Sequence, residues 1–74
     1  MVFVIGTVMA HIILNGIQKE ISDNISVSTL LAQMDLPKFF VVEKNKEIIY
    51  KENFDSEYLS DGDVLEIATF CGGG

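Results

Sequence analysis

Residues 61–74 read DGDVLEIATFCGGG, and this stretch decides the fold. Asp61-Gly62-Asp63 is typical of a turn, because Asp side chains bond nearby backbone groups and glycine accepts positive φ. Residues 64–70 then predict an apolar β-strand that runs directly towards Gly72, Gly73 and Gly74. The sequence therefore places a strand immediately before a glycine tail.

The glycine tail offers chemistry only through its backbone. Its residues have no side chains, so the reactive group that we expect is the α-carboxylate of Gly74. A segment without Cβ atoms fits narrow clefts that exclude bulkier residues. Chain ends are also commonly frayed, which is the alternative interpretation. The strand that precedes the glycines favours a carboxylate presented to another protein's active site.

Upstream of this stretch, the pattern predicts four more strands, over residues 10–14, 17–21, 39–43 and 47–50. Asn15-Gly16 favours a type I′ hairpin between the first two strands, because both residues tolerate positive φ. Lys44-Asn45-Lys46 is predicted to be a second turn, and residues 47–50 are expected at a sheet edge. Residues 51–60 are expected to be irregular, and three of them are predicted to anchor this segment to the core: Phe54, Tyr58 and Leu59.

One helix is predicted between the second and third strands. Ser26 is a suitable N-cap, because its hydroxyl can accept a hydrogen bond from a free first-turn amide. Apolar residues at 27, 30, 31 and 34 give a helix of about three turns with one apolar face. Pro37 disfavours helical angles at Leu36, so the helix is predicted to end there.

These elements predict an α+β fold, a mixed sheet of four to five strands packed on one helix. The two terminal strands are expected to be parallel neighbours at the centre, with the helix in the crossover between them. We divide the chain into an N-terminal extension (1–8), one domain (9–70) and a flexible tail (71–74). The extension is expected to be disordered or an extra strand.

Composition narrows the classes of function. The 74 residues carry eleven acidic side chains, five Lys+Arg and a net charge of −6. Such a surface repels phosphate backbones, which disfavours nucleic-acid binding and favours a basic protein partner. The single cysteine cannot form an internal disulfide, and the apolar N-terminus lacks the features of a signal peptide or a membrane span. We expect a cytoplasmic protein that is monomeric when free.

The pattern resembles a known family. Ile12 to Gly16, the helix from Val27 to Met34, and Asp61 to Ile67 leading into the terminal glycines look like the ThiS sulfur carriers of thiamine biosynthesis. The resemblance implies a ubiquitin-like β-grasp fold. Cys71 stands where the family usually has an aliphatic residue, and residues 1–8 have no family counterpart. The related molybdopterin-synthase small subunits generally carry prolines before the glycines, and this tail has none.

The resemblance implies a non-catalytic co-substrate. An adenylating ThiF-like enzyme would activate Gly74 with ATP and magnesium, sulfur would replace the adenylate, and the thiocarboxylate would serve a ThiG-like thiazole synthase. No cofactor or metal site is expected in the chain itself. The alternatives are a carrier for molybdopterin or another sulfur pathway, a ubiquitin-like modifier joined to lysines, and an interaction module with an inert tail.

Strand alternation predicts a docking surface beside the tail. If Glu43 and Glu66 face water, so do four apolar residues and the strand exit, and we expect these to bind partners: Phe39, Val41, Ala68, Phe70 and Cys71. Cys71 is interpreted as a small apolar residue, since nothing nearby lowers a thiol pKa. His11 is expected at the surface. We also hypothesise an acidic rim of Glu57, Asp61, Asp63 and Glu66.

Overall fold

The structure is a computed structural model that describes residues 9–70. It contains five β-strands, one α-helix and a short 3₁₀ helix. These are β1 (Met9–Leu14), β2 (Ile17–Ser22), α1 (Val27–Ala32), β3 (Phe40–Lys44), β4 (Glu47–Ile49), the 3₁₀ helix (Lys51–Asn53) and β5 (Val64–Thr69). The predicted extension (1–8) and glycine tail (71–74) lie outside the described residues.

The strands form one mixed sheet in the order β2-β1-β5-β3-β4. The central pair, β1 and β5, is parallel, with Ile13 opposite Val64 and Leu14 opposite Leu65. The other neighbouring pairs are antiparallel, and β4 lies at an edge. The predicted arrangement of the two terminal strands is therefore confirmed.

Both predicted turns are present, and both use left-handed backbone angles. Asn15 and Gly16 have φ of 51° and 82°, as the Asn-Gly pair predicts. Asn45 and Lys46 have φ of 52° and 71°, so the second hairpin uses the same conformation without a glycine. Because these angles match the right-handed twist of the sheet, the two tight turns fix the register of both hairpins.

The helix begins where predicted but is shorter. The Ser26 hydroxyl accepts a hydrogen bond from the Thr29 amide at 3.1 Å, which confirms the N-cap. The prediction of about three turns is wrong, because α1 covers only Val27–Ala32. The Gln33 and Met34 amides bond to carbonyls three residues back, which tightens the last turn and ends the helix. Within residues 9–70, no helix is long and apolar enough to cross a membrane.

The core lies between the helix and one face of the sheet. Its buried residues come from α1, from Leu59 and from every strand except β4: Ala10, Ile12, Ile21, Val27, Leu30, Val42, Leu59, Leu65 and Ile67. Along β1 and β5 the buried residues alternate with exposed ones. The helix covers only this inner face, so the residues between them lie on the outer face.

Residues 51–60 close the core beside the helix. Leu59 is fully buried, and Phe54 is half-buried and stacks on Phe40 with 6.2 Å between ring centroids, so these two anchors are confirmed. The prediction for Tyr58 is wrong, because its side chain is 50% exposed. Tyr58 contributes its backbone instead, pairing with Ser26 and accepting a bond from Lys44 Nζ. A backbone bridge leaves the ring free to point outward.

Candidate functional site

The outer face of the sheet carries four of the five predicted docking residues: Phe39, Val41, Ala68 and Phe70. In the register of β3 and β5, Val41 lies opposite Ala68, and the Phe70 amide donates to the Phe39 carbonyl at 3.2 Å. These two cross-strand pairs share one face because side chains two residues apart on a strand point the same way. Phe39 and Phe70 are 57% and 53% exposed. Ala68 is exposed and Val41 is half-buried.

This apolar surface extends further than the sequence predicted. Ile48 of β4 lies opposite Glu43 and therefore faces outward, with 50% of its surface exposed. Tyr50, two residues on, is 61% exposed. Alternation along residues 47–50 was the signal that could have revealed both. We call the six residues the outer patch: Phe39, Val41, Ile48, Tyr50, Ala68 and Phe70.

A groove of about 660 Å³ runs between β3 and the end of β4. Phe39, Tyr50 and Phe70 of the outer patch line it, and so do Lys38 and Lys51. The Lys38 ammonium lies 5.5 Å from the centre of the Phe39 ring, a distance typical of a cation–π contact. The groove therefore combines aromatic side chains with positive charge at the root of the tail.

The opposite end of the outer patch is acidic. Glu43 and Glu66 are directly opposite each other across β3 and β5, next to the Val41–Ala68 pair. They line a depression of about 360 Å³ together with Asn15. Among residues 9–70, no hydrogen bond or ion pair engages either carboxylate. Like charges in directly opposed cross-strand positions destabilise a sheet.

Asn15 holds β5 where β1 ends. Its side-chain oxygen accepts the Ile67 amide at 2.7 Å, and its side-chain nitrogen donates to the Ile67 carbonyl at 3.3 Å. Its own amide donates to the Leu65 carbonyl at 2.9 Å. The side chain therefore makes the hydrogen bonds to β5 that the backbone of one further β1 residue would make. It thereby fixes the strand that leads to the tail. The sequence indicated Asn15 only as a turn residue, because these contacts span 52 positions.

The four residues of the hypothesised acidic rim lie in different environments. Glu57 pairs with Lys44. The Asp63 carboxylate accepts the Ser60 amide at 2.8 Å and the Asn45 side-chain amide at 3.0 Å, which confirms a local role in the turn. Asp61 accepts the His11 amide at 2.8 Å. Of the four, Glu66 is the one that faces outward beside the outer patch, so the hypothesis of a common rim is not supported.

The remaining predictions from the sequence concern His11, metal binding and residues 71–74. His11 is exposed, as expected, and lies 3.4 Å from Glu20 and 3.7 Å from Asp61. Residues 9–70 contain no group of three or more His, Cys, Asp or Glu side chains that could hold a metal ion. The predictions for Cys71, Gly72, Gly73 and Gly74 fall outside the described residues.

Comparisons with known proteins agree with this geometry. The model of the ThiS family matches residues 12–74. The sulfur carrier protein ThiS of Bacillus subtilis (strain 168) is 47% identical over 53 residues, which are 70% of this chain and 80% of that protein. A thiazole synthase of Paramagnetospirillum magneticum (strain ATCC 700264 / AMB-1) is 36% identical over 64 residues, which are 85% of this chain and 20% of that enzyme.

Solved structures show the same architecture. The crystal structure of a thiamine biosynthesis protein (ThiS) from Geobacter metallireducens superimposes with a TM-score of 0.75 at 29% identity, over 86% of this chain and 99% of that one. An NMR structure of a thiamine biosynthesis protein from the same organism gives 0.72 at 29% identity, over 86% and 87% of the two chains. The predicted β-grasp fold is confirmed, and the chain belongs to the ThiS family.

Proposed function

We propose that this protein is the sulfur carrier of thiamine biosynthesis and that it carries sulfur on the carboxylate of Gly74. The observation that carries the proposal is the extent of the family match, which runs from residue 12 through the terminal glycines to residue 74. The Bacillus subtilis relative, of which this chain covers 80%, is itself a sulfur carrier protein. In this role the chain is a substrate of other enzymes and performs no catalysis.

The first step activates the carboxylate. A Gly74 carboxylate oxygen attacks the α-phosphorus of ATP, a new P–O bond forms, and pyrophosphate leaves with the electron pair of the broken bond. The product is an acyl adenylate. Activation is necessary because a bare carboxylate would have to expel oxide. ATP and magnesium would be bound by the activating enzyme, a ThiF-like protein.

The second step exchanges oxygen for sulfur. A sulfide equivalent such as HS⁻ attacks the acyl carbon, a C–S bond forms, and AMP leaves as the C–O bond to the adenylate breaks. Loss of the sulfur-bound proton gives the thiocarboxylate. This group is a nucleophile near neutral pH, and it would then deliver sulfur to a ThiG-like thiazole synthase. A relative of this chain within a larger thiazole synthase supports that partner.

The outer patch is proposed to dock both enzymes. It includes Ala68 and Phe70 at the end of β5, the strand that leads to the tail, and its aromatic members are more than half exposed. Contiguous exposed apolar surface usually marks an interaction site. Docking through Phe39, Val41, Ala68, Phe70 and Cys71 would aim the glycines along the direction of β5 into the partner's active site. The two side-chain hydrogen bonds from Asn15 to Ile67 would help to fix this direction.

Intact-mass spectrometry tests the proposal. The full chain is incubated with ATP, magnesium, a sulfide donor and a ThiF-like enzyme. We expect a gain equal to the mass difference between sulfur and oxygen, and no gain in a chain that lacks Gly74. A molybdopterin-type activating enzyme serves as the comparison, and preferential loading by that enzyme would assign the chain to the other pathway.

The same spectra distinguish a protein modifier. A modifier would form an isopeptide bond between Gly74 and a lysine, so its product would appear at the summed mass of two proteins. A carrier stays at the mass of a single chain with one sulfur. Absence of sulfur loading with either activating enzyme would contradict the proposed function.

A further inference from the structure

We propose that the outer face of the sheet orients its partner through charge, by receiving one basic side chain between Glu43 and Glu66. This inference rests on the proposed function, in which the same face docks an activating enzyme. It adds the chemistry of the partner: an apolar surface with a basic side chain, arginine or lysine, at the end distant from the tail.

Glu43 and Glu66 place two like charges opposite each other in the free protein, an arrangement that destabilises a sheet. The two residues are directly opposed across β3 and β5. Two other acidic side chains, Glu57 and Asp63, have partners in Lys44 and Asn45. Within residues 9–70 no hydrogen bond or ion pair engages the carboxylate of Glu43 or Glu66. A cation placed between the two carboxylates would relieve this repulsion, so binding and relief of strain would act together.

The depression beside the pair has room for such a side chain. Its volume is about 360 Å³, and Val41 and Ala68 of the outer patch form its apolar wall. A long basic side chain could lay its methylene groups on this apolar wall and bring its charge to the carboxylates. The fork of an arginine guanidinium would suit two acceptors from different strands.

The other end of the face has the opposite charge. Lys38 and Lys51 line the groove beside Phe39 and Phe70. Phe39 lies four residues before Glu43, and Phe70 lies four residues after Glu66. That separation is about 13 Å at the rise of an extended strand. It exceeds the Debye length of about 8 Å at physiological ionic strength, so the two ends act as separate charges. A partner with the complementary order of charges can dock in only one direction, which places its active site at the tail.

The test is the double variant Glu43→Gln/Glu66→Gln. Its affinity for the ThiF-like enzyme is measured by calorimetry, and the thermal unfolding midpoint is measured on the free chain. The matched control is Asp35→Asn/Asp55→Asn, which removes the same charge from exposed positions that lie off the sheet. We expect the Gln variant to bind about tenfold more weakly than the control. We also expect it to unfold at a higher temperature than the control, because the repulsion is removed.

This pair of readouts separates binding from folding. Weaker binding together with higher stability supports the inference, since a damaged structure would lose both. Equal affinity of the Gln variant and the control, with normal sulfur loading of the natural chain, overturns this inference and leaves the proposed function intact. A natural chain that neither binds nor accepts sulfur overturns the proposed function, and this inference with it.

Discussion

The two faces of the sheet come from the same strands but have opposite properties. Leu65 of β5 is fully buried, while Phe70, directly after β5 and on the other face, is 53% exposed. Val42 of β3 is fully buried, and Phe39, directly before β3, is 57% exposed. The inner face is covered by α1 and Leu59, whereas no described residue packs over the outer face. Alternation thus places the core on one face and the proposed docking surface on the other, so each can be changed separately.

The largest effect is expected on the inner face, from Leu65→Ala. Leu65 is fully buried, and truncating a core leucine removes its burial and leaves a cavity, which costs about 2–5 kcal/mol. A domain of this size has little stability in reserve, so much of the variant should be unfolded at 37 °C. Urea unfolding followed by circular dichroism measures the loss. A cost below about 1 kcal/mol would contradict the assignment of Leu65 to the core.

The next effect is expected on the outer face, from Phe39→Ser. We expect binding to the ThiF-like enzyme to weaken by about 30-fold, or about 2 kcal/mol, because a central aromatic contact is lost. The free energy of unfolding should change by less than about 0.5 kcal/mol. The control is Ile17→Ser, a position that is also apolar and more than half exposed but lies on the edge strand β2. Equal affinities of the two variants would remove the outer patch from the docking surface.

A smaller effect is expected in the turn between β1 and β2, from Asn15→Gly. Glycine keeps the positive φ of the turn but removes both side-chain bonds to Ile67, and we expect a loss of about 1–2 kcal/mol. Asn24→Gly is the control, since Asn24 also has positive φ (62°). No side-chain bond from Asn24 occurs within residues 9–70. Chemical denaturation of both variants should show destabilisation in the first alone.

The smallest effect is expected at the helix cap, from Ser26→Ala. The Ser26 hydroxyl accepts the Thr29 amide, and loss of an N-cap costs about 1 kcal/mol. Ser26→Asp restores an acceptor and should recover most of this stability. Sulfur loading should be normal in both variants, because the helix covers the inner face. A loading defect without a stability defect would show that the helix also takes part in docking.

Features with strong local signals could be predicted from the sequence. Glu43 and Glu66 fix which residues of β3 and β5 face water, so the positions of Phe39, Ala68 and Phe70 followed from alternation alone. Asn15-Gly16 defined the first hairpin, and Ser26 defined the start of the helix. Each of these predictions depends on residues within a few positions of one another.

Features that depend on long-range contacts could not be predicted. The helix ends early because the Gln33 and Met34 amides turn to closer carbonyls, and the apolar spacing does not reveal this choice. Tyr58 was assigned to the core by its type, but its backbone bridge to Ser26 fixes the chain and leaves the ring outside. The opposition of Glu43 and Glu66 appears only once the register of β3 and β5 is known.

Amide hydrogen exchange in the presence of a ThiF-like enzyme tests the difference between the faces most directly. Exchange is compared for the free chain and for the complex, residue by residue. The account predicts slower exchange on binding in residues 39–43 and 66–70, and unchanged exchange in α1. Protection confined to α1 or β2, with β3 and β5 unaffected, would contradict the claim that the outer face presents the tail.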